Sequence, residues 1–281
     1  MSSSKRSVQV MDLLARKSPL GVRGVATQLG FPLGSVHRLL LDLEAEGVTE
    51  RTPAGEWELS FRLLEITGLQ LERIELPRLF HPYAEKIALA TGETVNLNAL
   101  SGLNSVCIDK VRGNDGMQLD VRIASRGSMH CGGAGKAMLS YMTPQARVFE
   151  APLVALTSKT ITDLDELKAE LARIKARGYS IDDQEVVMGV YCVAVPILDR
   201  NSRPFGAMSI TGPSVKAPGP EIAPMAAMLN EACGAISRRL GYSGPWPLLA
   251  ETGQAVPTRR AIQDMQHLEH LEHRQCASPG S

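Results

Sequence analysis

The chain has 281 residues, with 30 Lys and Arg against 30 Asp and Glu, so its formal net charge at pH 7 is zero. That length suggests two domains with ample core, and the charge balance excludes a uniformly basic nucleic-acid coat but not a local basic face. Hydrophobic content is ordinary for a globular protein, no apolar run reaches membrane-spanning length, and the opening "MSSSKRSVQV" lacks the apolar core of a signal peptide, so a cytoplasmic protein with no membrane partner is expected.

In chain order, Ser7 to Arg16 place Val10, Leu13 and Leu14 on one helical face. After the loop "KSPLG" comes "VRGVATQLGFPLGSVHRLLLDLEAEG". A helix-turn-helix needs a small residue where its helices touch, a glycine in the tight turn and an apolar anchor on the second helix. Ala26, Gly30 and Val36 supply these, with Val25, Leu29, Leu39 and Leu40 on the core side. Pro32 suits the first turn of the second helix, and Gly47 stops it. "VTERTPAGEWELS" reads as two short strands around a turn at Pro53 to Gly55. Residues 1–60 are therefore expected to form a winged helix-turn-helix, its second helix in the major groove and its hairpin on the flanking backbone.

Charge in this region is ordered. Lys5, Arg6, Arg16, Lys17, Arg23 and Arg38 precede Leu40 against Asp12 alone, and acids crowd between Asp42 and Glu58. Arg23, Ser35, His37 and Arg38 are the candidate DNA contacts. Ser35 also suits a local hydrogen bond in the helix's first turn.

Phe61, Leu64, Ile66, Leu69 and Leu71 continue at roughly helical spacing. They predict a helical linker over 61–76 whose apolar stripe can serve dimerisation. A further helix starts after Pro77. Within 77–243, "ETVNLNAL" and "NSVCIDKV" read as strands around "SGLN", and "LDVRIAS" as a third. Helices follow at Ala134 to Met142 and Leu164 to Arg177. "YSIDDQEVVMGVYCVAVPILD" reads as strand, loop, strand; "RNSRP" as a turn; "FGAMSITG" as a strand. A helix from about Pro220 to Leu240 closes the domain. Antiparallel strands interleaved with helices predict an α+β sensor-like domain.

The stretch "HCGGAGKAM" invites comparison with a phosphate-binding loop and fails it. His130 stands where the first glycine belongs, and Ala137 follows Lys136 where a hydroxyl would reach magnesium. The physics survives the failed motif: glycines admit close approach of backbone to a ligand, and a helix opening near Ala134 aims free N–H groups at an anion. The five cysteines (Cys107, Cys131, Cys192, Cys233, Cys276) form no CxxC pair, so neither a zinc site nor a disulfide framework is expected. Residues 244–281 read as a flexible tail. Its His267, His270 and His273 are taken as solvated, not as a metal site. No cofactor is expected.

"GSVHRLLLDLEAEGVTER", "SMHCGGAGKAML" and above all "GYSIDDQEVVMGVYCVAVPI" together resemble the IclR family of bacterial transcriptional regulators, from about Arg6 to Tyr242. The resemblance implies an N-terminal winged helix-turn-helix, a dimerising helical linker and a C-terminal GAF-like effector-binding domain. It implies a homodimer or dimer of dimers on operator DNA, controlling a catabolic operon in response to a small organic or aromatic carboxylic acid. It also implies that Gly133 and Ala134 hold the effector carboxylate through backbone N–H groups. Asp182, Cys192, Ser209 and Thr211 would line the pocket, with Val190 and Leu119 as apolar walls. Ser209 and Thr211, two apart on a strand, share a face. Members often carry Lys and Ser or Thr where Leu33 and Gly34 stand here, which removes two potential DNA contacts. The residues also leave open a cysteine-dependent enzyme using Cys192 or Cys131, the latter beside His130, and a redox-sensing regulator using the same thiols.

Overall fold

The computed structural model describes residues 3–73, 76–114, 121–142, 152–216 and 222–246. Its contacts divide the chain into two compact units, 1–75 and 76–281.

The first unit runs α1 (Ser3–Lys17), α2 (Val22–Leu29), α3 (Leu33–Ala45), β1 (Thr49–Arg51), β2 (Trp57–Leu59) and α4 (Arg62–Arg73). Val10, Leu14, Val25, Ala26, Val36, Leu39, Leu40 and Trp57 form one buried cluster. The α2–α3 turn depends on Gly30, which sits at φ +66° and donates its N–H to the Ala26 carbonyl; a side chain is disfavoured at that angle. Pro32 lies just outside α3, not in its first turn. Its extended backbone caps the helix, and its carbonyl accepts from the Ser35 and Val36 N–H groups. The hairpin β1–β2 is antiparallel. Trp57 exchanges both backbone hydrogen bonds with Leu20, each at 2.9 Å, which ties the wing to the loop after α1. The Arg51 guanidinium lies 4.4 Å over the Trp57 ring.

The second unit runs α5 (Leu76–Thr91), β3 (Thr94–Ser101), β4 (Asn104–Val111), β5 (Arg126–Gly127), α6 (Gly133–Leu139), α7 (Leu164–Arg177), β6 (Ser180–Asp183), β7 (Val190–Leu198), β8 (Pro204–Pro213) and α8 (Ile222–Arg239). One six-stranded antiparallel sheet has the order β5-β4-β3-β8-β7-β6. Side chains alternate across it. On β7, Tyr191 reaches Met225 of α8, whereas Ala194 joins Ala207 of β8 in a cluster with residues of α6 and α7. Helices α5 and α8 pack together and against the sheet, as α6 does with β7 and β8.

Two expectations are corrected. "LDVRIAS" is not a strand over residues 121–125; Leu119 and Asp120 lie outside the described residues. Ala124 adopts φ +65°, and the Ser125 N–H donates to the Arg122 carbonyl, so the chain turns there. Ladder pairing with β4 covers Arg126 and Gly127, and the turn before it exchanges backbone hydrogen bonds with Cys107 through Ala124 and Ser125. The alternation of Val121 and Ile123 imitated a strand, but a left-handed residue breaks extended pairing. The helix expected to reach Met142 ends at Leu139.

The boundary expected near residue 243 also needs qualification, because Trp246 remains part of the fold. Its indole Nε1 donates to the Asn230 carbonyl at 2.7 Å, and its ring lies where any side chain at Gly234 would project. The histidines of the tail lie outside the described residues. Among the described residues, no helix is long and apolar enough to cross a membrane.

Helix α7 shows strong local encoding. The Asp163 side chain accepts from the Asp165 and Glu166 N–H groups, both at 2.9 Å, and Gly178 closes the helix at φ +81°. Asp163→Ala is expected to cost about 1 kcal/mol, read as a lower thermal midpoint that Asp163→Asn largely restores.

Candidate functional site

The sheet face covered by α6 carries a cavity of about 410 Å³. Strand register explains which residues meet there. Asp182 on β6 pairs with Cys192 on β7, and Cys192 with Thr211 on β8. One step along, Ala194 pairs with Ser209, and Ser209 with Asn96 on β3. Residues opposite each other share a face, so segments far apart in sequence form two adjacent rows. Gly133, Ala134, Asp182, Val190, Cys192, Ser209 and Thr211 all line this cavity. Leu119 lies outside the described residues.

The glycine turn is held on β7 by close approach. A Cβ at Gly133 would stand 2.8 Å from Cys192 Sγ, and one at Gly135 would collide with the Ser128 carbonyl. The Gly133 carbonyl accepts from Ser180 Oγ at 2.5 Å. Helix α6 begins at Gly133, so the first N–H groups of the turn have no acceptor within the helix.

The floor is a polarised network that sequence reasoning did not foresee. Asn96 Nδ2 donates to Thr211 Oγ1 at 3.1 Å, Asn98 Nδ2 to Ser209 Oγ at 3.5 Å, and Ser105 Oγ to Asn98 Oδ1 at 3.4 Å. Cys192, paired with Thr211 across the strands, lines the cavity beside these two hydroxyls. The missed asparagines carried a signal: in "TVNLNAL" two amides recur with period two between apolar residues, which marks one polar face of a strand.

A buried charge cluster lies behind the glycine turn. Lys136 is 1% exposed and pairs with Glu185. Asp182 Oδ1 accepts from the Glu185 N–H at 2.7 Å, and the Thr157 and Thr160 hydroxyls donate to the Glu185 carbonyl. Asp182 thus holds the bend after β6 as well as facing the cavity. Burial pushes its carboxyl up to about 6, against the opposing pull of the Glu185 and Val186 N–H groups and Lys136. Burial likewise lifts Glu185 to about 7 in spite of the Lys136 ammonium.

Cys131, Cys192 and Cys233 are poor nucleophiles. Burial raises Cys131 and Cys192 to about 11 and Cys233 to about 12, so each is a protonated thiol at neutral pH. His130 and Cys131 sit in a turn, not a strand. The His130 Nε2 lies 3.1 Å from the Val154 carbonyl.

In the first unit, Gly34, His37, Arg38 and Leu41 are exposed along α3 at helical spacing, and Arg23 is exposed on α2. Ser35 is half-buried, and its Oγ accepts from Arg6 at 3.3 Å. The sequence offered no sign that Arg6 would reach the start of α3. The Arg6 guanidinium also lies 5.7 Å over Phe31.

A three-helix core with a hairpin wing, joined to a sheet domain enclosing a small polar-floored cavity, is the architecture of a ligand-responsive DNA-binding protein. The bacterial transcriptional regulator IclR C-terminal model matches residues 69–238, and the IclR helix-turn-helix domain matches residues 3–53. The chain belongs to the IclR family of transcriptional regulators. It is 30% identical over 251 residues to the acetate operon repressor of Salmonella typhimurium, covering 87% of this chain and 91% of that one. The crystal structure of Thermotoga maritima IclR is 28% identical with a TM-score of 0.70, covering 85% of this chain and 99% of that one. An IclR homologue from Microbacterium hydrocarbonoxydans, crystallised with 4-hydroxybenzoate, shares the fold at 22% identity and a TM-score of 0.73, covering 85% and 99%. These relatives are regulators, not enzymes.

The Asp182 environment predicts a pH dependence. Its carboxyl titrates at about 6 in the folded protein against an ordinary value of 3.8, so the native state holds the proton more tightly. The associated stability is present below about pH 4 and is lost as pH rises towards 6. Asp182→Asn keeps an acceptor for the Glu185 N–H without the charge. Its stability relative to the parent should improve by roughly 2 kcal/mol between pH 4 and pH 7. A difference that stays flat across that window would remove Asp182 as its source.

Proposed function

We propose that this regulator binds operator DNA through α3 and the β1–β2 wing, and that a small carboxylic acid in the cavity changes its affinity for that DNA. The observation that carries the ligand reading is the cavity floor. Two hydroxyls, Ser209 and Thr211, line it beside the Cys192 thiol, and each can donate to an entering oxygen. A carboxylate entering beside Cys192 accepts from both through charge-assisted bonds. The N–H groups of Gly133 and Ala134 approach from the turn above. Asp182, with its raised carboxyl, accepts from a ligand hydroxyl or a bridging water. Val190 supplies apolar wall, and Leu119 is assigned the same role. The same fold in complex with 4-hydroxybenzoate, an aromatic carboxylic acid, supports this ligand class. The acetate operon repressor among the relatives supports control of a catabolic operon.

On α3, Arg38 and His37 face outward, in the orientation from which a recognition helix reads the major groove; Arg23 and Ser35 flank them. Residues 61–76 are assigned as the linker. Phe61, Leu64 and Leu69 are each more than 60% exposed along it, an apolar stripe suited to pairing two copies as a homodimer or dimer of dimers. The acid must favour one arrangement of such an assembly over another, since only differential affinity shifts an equilibrium.

The test is binding to labelled DNA from upstream of the protein's own gene, with excess competitor, across a panel of organic and aromatic acids. Tight binding shifted by one acid is the expected result. Binding no better than competitor, or a response to none of the acids, counts against the proposal. Arg38→Ala should weaken binding and flatten the salt dependence by about one charge. An unchanged slope removes Arg38 from the phosphate contacts. Asp182→Ala should abolish the acid response and spare DNA binding without ligand; a retained response removes Asp182 from the ligand site.

A further inference from the structure

The cavity runs the width of the sheet. Asp182 of β6, Cys192 of β7, Thr211 of β8, Asn96 of β3, Ser105 of β4 and Gly127 of β5 all line it, one residue from each strand. Neighbouring strands lie about 4.8 Å apart, so Thr211 and Gly127, three strands from each other in the order β5-β4-β3-β8, are separated by at least about 14 Å of backbone. Side chains stand roughly perpendicular to a sheet, so that separation persists in the space above it. A short acid held by the Ser209 and Thr211 hydroxyls therefore leaves the β5 edge of the cavity unused.

That edge carries a cation. Arg122 lines the cavity in the turn that leads into β5. The turn is fixed by its backbone: the Arg122 carbonyl accepts from the Ser125 N–H at 3.0 Å, the Ala124 N–H donates to the Cys107 carbonyl at 2.7 Å, and the Ser125 carbonyl accepts from the Cys107 N–H at 3.1 Å. The Arg122 side chain is exposed and has no hydrogen-bond, ion-pair or ring partner among the described residues. The other charged side chain lining the cavity among the described residues is Asp182, on the strand at the opposite edge of the sheet. Lys136, behind the glycine turn, is paired with Glu185. A guanidinium stays charged across the physiological range, and its planar fork matches the two oxygens of a carboxylate. We propose that the ligand of this cavity is a dicarboxylic acid, its first carboxylate on the Ser209 and Thr211 hydroxyls and its second on the Arg122 guanidinium. The backbone separation, shortened by the reach of the arginine, suits about four to six carbons between the two acid groups. The inference rests on the carboxylate reading of the cavity.

The experiment uses the full chain, with ligand binding read by calorimetry and by the shift in thermal midpoint. The probes are pairs that differ only in the second carboxylate: adipate and hexanoate, suberate and octanoate, terephthalate and benzoate, with succinate as a diacid too short to span. In at least one pair the diacid should bind roughly tenfold more tightly than its monoacid, the worth of one charge-assisted hydrogen bond. Arg122→Ala should bring that ratio close to one, and Arg122→Lys should keep part of it. Because Arg122 is exposed, both variants are expected to fold, and the wild-type comparison stands without them. Monoacids binding as tightly as their diacids overturn the inference and leave the carboxylate reading in place. So does an unchanged ratio in the Arg122→Ala protein, and so does succinate binding more tightly than every longer diacid. Failure of every acid to bind removes the carboxylate reading and this inference with it.

Discussion

The second domain depends on the close seating of the Gly133–Gly135 turn against its own fold. Gly133 lies against Cys192, and Gly135 against the backbone of Ser128 and Met129. No side chain fits at either position. The turn is thereby seated on Cys192, the middle residue of the row formed by Asp182, Cys192 and Thr211. The cavity lies between this helix start and the sheet face.

Behind this seat, the fold spends stability on buried charge. Lys136 and Glu185 are both taken out of water, and such a pair offsets its desolvation only with good geometry and further hydrogen bonds. The Glu185 carboxylate keeps one buried oxygen without a partner, but its backbone is fixed by the loop, giving its N–H to Asp182 and its carbonyl to Thr157 and Thr160. The residues after β6 are thereby tied to α6 from one side and to the 157–160 segment from the other. Val186, Val187 and Val190, which line the cavity, follow directly on this anchor. Burial raises the Asp182 carboxyl to about 6 and that of Glu185 to about 7, so the charge of this anchor changes close to neutral pH.

Much of the fold was legible because its signals are local. The helix-turn-helix is carried by Ala26, Gly30 and Val36, a left-handed glycine between two apolar faces. Helix α7 follows from Asp163 and Gly178 at its ends. Where local pattern misled, a single backbone angle decided: Ala124 turns a stretch whose residues alternate like a strand. The strands of the sheet were recognisable one by one, but the pairing of β3 with β8, more than a hundred residues apart, has no local signature.

The sequence by itself determined the two-domain class, the glycine turn, and the shared face of Ser209 and Thr211, because each depends on residues within a few positions of one another. Tertiary structure alone decided what those residues meet. Only the register across β6, β7, β8 and β3 sets Asp182, Cys192 and Thr211 in one row and Ser209 beside Asn96. Lys136 gave no hint of its partner 49 positions away, nor Arg6 of Ser35. Hydrogen-bond direction is likewise a property of the assembled network. Asn96 and Asn98 reach Thr211 and Ser209 only once β3 and β8 have paired.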